Sequence, residues 1–230
     1  MSGSSRWRAL ANAGKEVAAW ARQASLIHLD VLEPAIPKHA EDGDDIVVLL
    51  HGLFATAGVL RPLRRSLARH RRVHTAAMTY APGPGVEELA HKLKHLAGEL
   101  PEKARLHLVG HSLGGIVARY FAQEIGDPRV LQTISLASPF AGVRRAALLG
   151  FGGARDLDPQ SGLLRRLRLG ASNTTHPAPV SHALPGGEVL LMEGRGHNAL
   201  LYDAEVAGHI ERRILAIPRP RATHVVAGDS

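Results

Sequence analysis

At 230 residues and 24.6 kDa, the chain can hold one domain with a sizeable core but not two ordinary enzyme domains. An apolar share of 45% excludes a disordered chain, and with only 4% aromatic residues the core must be built from Leu, Val, Ile and Ala. The lack of cysteine excludes disulfides, thiolate metal sites and a thiol nucleophile, while the net charge of +7 fits nucleic acid, an anionic membrane or a solvated Arg-rich surface.

Residues 1–40 read as an N-terminal amphipathic helical extension. Trp7, Leu10, Ala13, Val17 and Trp20 recur at spacings of three or four, a stripe expected to pack on the domain. The alternative is a helix lying on anionic lipid, since both tryptophans are here. The apolar run at 17–21 is too short for a signal peptide, and no run is long enough to span a bilayer, so a cytoplasmic protein is expected, peripheral to a membrane at most.

From residue 46 strands and helices alternate. Strands are expected at 46–50, 73–78, 106–109 and 130–136, and helices at 62–69, 86–100 and 113–125. Continuous apolar runs alternating with helices predict a mostly parallel sheet covered on both faces. Residues 140–169 read as loop and short helix, a small cap with an apolar patch at 146–151. A weak strand is read at 167–171, a firmer one at 188–192, a final helix at 198–214, and a Pro/Arg tail at 218–230 that is expected to be disordered.

Gly110-His111-Ser112-Leu113-Gly114 fits G-x-S-x-G between a predicted strand and a predicted helix. That setting puts Ser112 at the tip of a sharp turn, at the carboxyl edge of the sheet, where glycines let the backbone pass close to its neighbours. A serine nucleophile needs a base. His197 follows the predicted strand at 188–192 and reaches the same edge. His51-Gly52-Leu53-Phe54 follows the first strand, so the backbone N–H groups of Leu53 and Leu113 can converge on an oxyanion. Phe54 and His111 are candidates for substrate contact. His91 and His95, His70 and His74, and His107 and His111 share an i, i+4 spacing, but no third ligand is in register and no metal site is expected. Arg61, Arg65, Arg69, Arg71 and Arg72 form a basic patch without interleaved aromatics, which speaks against nucleic acid as a partner.

Residues 47–54, 108–119 and 136–142 resemble the α/β-hydrolase superfamily, most closely its bacterial triacylglycerol lipase and esterase branch. The similarity runs from about residue 46 to 215. It implies an α/β-hydrolase domain over 41–217 acting on acyl esters, with Ser112 as nucleophile, His197 as base, oxyanion donors at Leu53 and Leu113, and no cofactor. In that family an aspartate orients the histidine, and here the corresponding stretch, 169–177, has no acid. With the search confined to residues between the elbow and His197, the third member is left open among Asp156, Asp158 and Asn173. The expected function is a carboxylic ester hydrolase with a small-molecule or lipid ester as substrate. The alternatives are a non-catalytic binding protein that keeps the fold and an acyltransferase.

Overall fold

Four of the apolar runs pair in parallel as one sheet. The structure, a computed structural model, describes residues 3–30, 35–170, 190, 192 and 195–219. The strands are β1 (Asp45–Leu50), β2 (Val73–Met78), β3 (Arg105–His111) and β4 (Val130–Leu136), in spatial order β2-β1-β3-β4. Successive side chains of a strand point to opposite faces. Thus Ile46, Val48 and Leu50 of β1 enter one apolar core while Val47 and Leu49 enter the other. All five are fully buried, each worth about 1.5–3 kcal/mol of transfer free energy.

The first core is closed by α3 (Val86–Gly98), α4 (Leu113–Tyr120) and α6 (Gly162–Gly170), and the second by α2 (Arg61–Leu67) and α7 (Ala204–Leu215). This is the doubly covered parallel sheet expected from the sequence. The observed bounds of β2 and β4 coincide with the predicted ones.

Three expectations are corrected. Residues 167–170 are not a strand but the end of α6, with Leu164 and Leu167 buried and Arg165 and Arg166 exposed, while residue 171 lies outside the described residues. The final helix is two, a 3₁₀ turn (Ala199–Tyr202) and α7. Asp203 separates them because its carboxylate accepts the backbone N–H groups of Glu205 (2.8 Å) and Val206 (3.4 Å), capping α7. Lastly, α1 (Gly3–Leu26) does pack on the domain, but not by Ala13, Val17 and Trp20, the residues of the apolar stripe whose burial is described. Ala19 and Gln23 are buried and Glu16 is half-buried, whereas Ala13, Val17 and Trp20 stand exposed. The end of the helix is pressed against the backbone at Gly58, where a side chain would lie 2.2 Å from the Leu26 carbonyl oxygen.

Of the predicted strand at 188–192, residues 188, 189 and 191 lie outside the described residues, and 190 and 192 are not in a strand; the tail from residue 220 also lies outside. The first tail residues are tied down: Arg105 donates to the carbonyls of Ile217 (3.0 Å) and Pro218 (2.9 Å), and Arg219 pairs with Asp45. The basic patch is partly neutralised, with Arg61 on Asp30 and Arg72 on Asp44. His70 and His74 are engaged separately, by Glu211 and Asp44. Among the described residues no helix is long and apolar enough to cross a membrane.

At the amino edge of the sheet Asp45 accepts from Arg105 (2.8 Å) and from the fully buried His107 (2.9 Å). Gln132 donates in turn to the other nitrogen of the His107 ring (2.9 Å). These donors and Arg219 hold the Asp45 carboxyl far below its ordinary range against the opposing effect of burial. Truncating Asp45 leaves the His107 Nε2–H without its acceptor in a dry setting and strips Arg105 of its carboxylate, leaving it the Ile217 and Pro218 carbonyls. Asp45→Ala should cost about 3 kcal/mol, read as a lower urea midpoint at unchanged slope; a midpoint within error of wild type would contradict the role given to this network.

Candidate active site

The parallel strands end together, and the predicted site residues lie on the loops that leave that edge. Ser112 sits between β3 and α4 with φ 54° and ψ −119°, a left-handed backbone that a serine adopts only under constraint. Such a residue costs about 1–3 kcal/mol, so its surroundings must enforce it. They do so by close packing. A Cβ on Gly110 would lie 2.3 Å from the backbone of Gly114, and one on Gly114 would lie 2.4 Å from the carbonyl oxygen of Leu50. The Ser112 N–H is bound to the Leu136 carbonyl (2.9 Å), tying the turn to the end of β4. Phe54 (φ 57°) and Ala137 (φ 49°) repeat the left-handed backbone at the same edge.

The loop after β1 lies against this turn. A Cβ on Gly52 would be 3.1 Å from the Ser112 Cβ and 3.1 Å from His111 Nδ1, so Leu53 lies next to the Ser112 turn. Leu113 begins α4, where backbone N–H groups lack partners within the helix. The loop is fixed from below by His51, whose Nδ1–H donates to the Gly52 carbonyl (2.7 Å) while Nε2 accepts the Tyr80 N–H (3.1 Å). The Tyr80 hydroxyl donates to the His51 carbonyl, and the two rings stack at 3.9 Å. Both ring nitrogens are in use, so His51 is a buried structural residue.

His111 carries the other half of the site. It is buried, its ring centroid lies 4.7 Å from that of His197, and its Nε2–H donates to the His197 carbonyl (2.9 Å). It therefore supports the histidine loop from beneath instead of offering an open substrate contact. His197 itself is exposed at the edge. Desolvation lowers its pKa, and the charge of Glu16 acts against that shift.

The acids proposed for the third position lie elsewhere. Asp156, in α5 (Gly152–Asp156), accepts the Val86 N–H at 2.7 Å and so caps α3. Burial raises its pKa and that bond opposes the rise. Asp158 accepts the Gln160 N–H within its own turn (2.9 Å). Asn173 lies outside the described residues. Among the described residues, a carboxylate beside the histidine loop is that of Glu16, in α1. It accepts the N–H of Asn198 (3.0 Å), the Asn198 side-chain amide (3.2 Å) and the N–H of Ala199 (3.3 Å). It precedes the elbow by nearly a hundred residues and lies outside the expected window for the acid.

The cap reaches the site through α5 and the loop before it. Phe151 meets Phe54 edge-on with centroids 5.8 Å apart, and a Cβ on Gly153 would lie 3.3 Å from the Leu113 side chain. Ala146 is buried in the first core, while Leu148 and Leu149 are exposed. Of the apolar patch at 146–151, then, Phe151 is the residue that joins the rim of the site.

The two buried histidines make the edge acid-sensitive. Burial pushes His51 and His111 down to about 4 from an ordinary 6.5. Between those values the unfolded chain binds protons that the folded one refuses, so stability falls as pH drops from 6.5 toward 4, by about 3 kcal/mol for each histidine. Urea denaturation over that interval should show the loss. His51→Gln, less stable at neutral pH, should lose markedly less on acidification; an equal loss would show that His51 does not contribute.

A model of the palmitoyl protein thioesterase family matches residues 47–161, half of the chain. None of the curated proteins searched matches significantly by sequence. Among solved structures, a mature lipase from Bacillus licheniformis, BlEst2, superposes with a TM-score of 0.62 at 15% identity, covering 80% of this chain and 98% of that one. Est1E from Butyrivibrio proteoclasticus gives 0.57 at 16%, covering 79% and 91%. A bromoperoxidase from Bacillus anthracis gives 0.56 at 14%, covering 80% and 94%. At such identities the likeness shows the fold, which serves several chemistries. With the family match over the elbow and the strands that frame it, this chain belongs to the palmitoyl protein thioesterase family of ester and thioester hydrolases and has the α/β-hydrolase fold.

Proposed function

We infer that the chain is a serine hydrolase that cleaves carboxylic esters of apolar acyl groups, thioesters included, through an acyl-enzyme on Ser112. The observation that carries this reading is the strained Ser112 at the tip of a strand–turn–helix with the His111–His197 contact beside it. Ser112 Oγ attacks the acyl carbonyl carbon while His197 takes its proton. The N–H groups of Leu53 and Leu113 hold the resulting oxyanion, and the helix N-terminus favours its charge. Collapse expels the alcohol or thiol, which receives the proton from His197. Water activated by His197 then releases the acid and restores Ser112. The Phe54–Phe151 pair at the rim supplies apolar surface for an acyl chain.

Ser112→Ala should lower the turnover of p-nitrophenyl and S-acyl thioester substrates by at least about 10³-fold, because removing one member of such a unit disables the whole. Turnover at the wild-type level would sink the assignment.

The partner favoured for this enzyme is an anionic lipid surface. The exposed face of α1 presents Val17 and Trp20, 69% and 57% accessible, with Lys15 and Arg22 also exposed on the helix. An apolar face with flanking cations is the pattern of a helix lying in the headgroup region. The only tryptophans, Trp7 and Trp20, are both in α1, so intrinsic fluorescence reports on this helix alone. Vesicles containing phosphatidylglycerol should co-sediment the protein and blue-shift its emission, and added salt should weaken both effects. Phosphatidylcholine vesicles should do less, and Val17→Ser with Trp20→Ser should abolish sedimentation. Equal sedimentation of that variant would exclude this face.

A further inference from the structure

The described part of α1 does more than cover the domain: its inward face meets the loop of the candidate base. Glu16 is the contact. One carboxylate oxygen accepts both the backbone and the side-chain N–H of Asn198, and the other accepts the N–H of Ala199. These are the two residues after His197, at the start of the 3₁₀ turn Ala199–Tyr202. Asn198 is buried, so its amide has little access to water. A Cβ on Gly196 would lie 1.8 Å from Glu16 Oε2 and 3.0 Å from Glu16 Cβ, so the histidine loop closes around this side chain and glycine at 196 makes room for it. A second contact holds the same two elements together: the Arg22 guanidinium sits 4.9 Å over the Tyr202 ring.

We propose that Glu16 is a positioning residue for His197: from the N-terminal helix it pins the backbone carrying the imidazole and places a negative charge beside the ring. The proposal rests on reading His197 as the base. An imidazole that accepts the serine proton becomes a cation, and a fixed carboxylate nearby stabilises that cation. In a conventional triad the acid bonds the ring itself and does both tasks. Here the three bonds go to the loop, and the charge acts on the ring through space. Desolvation lowers the His197 pKa, and among the described residues the carboxylate acting against that shift is Glu16.

The other groups facing this point do not replace it. His111, on β3, is buried and kept neutral, and it spends its Nε2–H on the His197 carbonyl. His51, behind it, is likewise neutral. Arg195, two residues before His197, is paired with Asp203 and Glu205. The acids considered earlier are occupied at α3 and within the cap turn.

Two readouts on the full chain test the proposal. In the first, the His197 imidazole is titrated by NMR, its resonance assigned by loss in His197→Gln. Glu16→Gln keeps the shape and an amide acceptor but removes the charge, and it should move the His197 midpoint down by about one pH unit, the size expected for an opposite charge within a few ångströms. Glu16→Asp keeps the charge and should restore most of the wild-type midpoint. In the second, kcat/KM for a p-nitrophenyl ester is followed against pH. Glu16→Gln should shift the acid limb to lower pH in parallel and reduce kcat about tenfold, a smaller loss than that of a ring-bonded acid. An unchanged His197 midpoint and acid limb in Glu16→Gln would overturn the proposal, whatever happens to kcat. If Glu16→Gln does not fold, a wild-type midpoint in Gly196→Ala, which forces the carboxylate aside, would overturn it equally. An inactive wild type in which the midpoint still responds to Glu16 would instead contradict the hydrolase reading and leave the coupling standing.

Discussion

The close approach of α4 to the end of β1 is the constraint on which the site depends. Gly114 packs against the Leu50 carbonyl and Gly110 against Gly114, so no room is left for a relaxed turn between β3 and α4. Ser112 is left in a left-handed backbone with its N–H bound to Leu136. The strain, of order 1–3 kcal/mol, is sustained by a sheet whose central strand is wholly buried on both faces. A serine held in this way leads with its side chain at the sheet edge, where loops from β1 and β3 and the histidine loop meet. The catalytic role proposed for Ser112 therefore rests on packing as much as on a sequence motif.

Buried polar networks at both edges of the sheet hold that frame. At the amino edge Asp45 gathers Arg105, His107 and Arg219. At the carboxyl edge His51 and His111 bond the two loops that flank Ser112 through neutral ring nitrogens. These histidines are of the residue type most often read as catalytic or metal-binding. Both are buried, with the two His51 ring nitrogens bonded and His111 Nε2 on the His197 carbonyl, which makes them braces. His197 differs in being exposed.

Much of this was legible in the sequence, because local pattern and global fold agree where the core is continuous. The strands at 73–78 and 130–136 and the elbow at 110–114 follow from apolar runs bounded by turn residues. Where a tertiary contact overrode the local pattern, the reading failed. Val17 and Trp20 belong to the stripe that normally turns inward, yet Glu16, Ala19 and Gln23 face the domain, with Glu16 bonded to the N–H groups of Asn198 and Ala199 and the end of the helix against Gly58. The break before α7 was readable in principle from Asp203 followed by Glu205, a helix-start signal inside an otherwise periodic run. The acid was not. Glu16 bonds Asn198 across 182 residues of chain, and no local spacing encodes a pair so distant.

The central claim is that the geometry of the elbow makes the Ser112 hydroxyl nucleophilic. Incubation with a fluorophosphonate followed by proteolysis and mass spectrometry tests it most directly, since covalent capture requires an activated serine and reports its position without assuming a natural substrate. The account predicts a single adduct on Ser112, lost in His197→Ala at equal exposure. An unmodified Ser112 in folded protein, or an adduct on another residue, would contradict it.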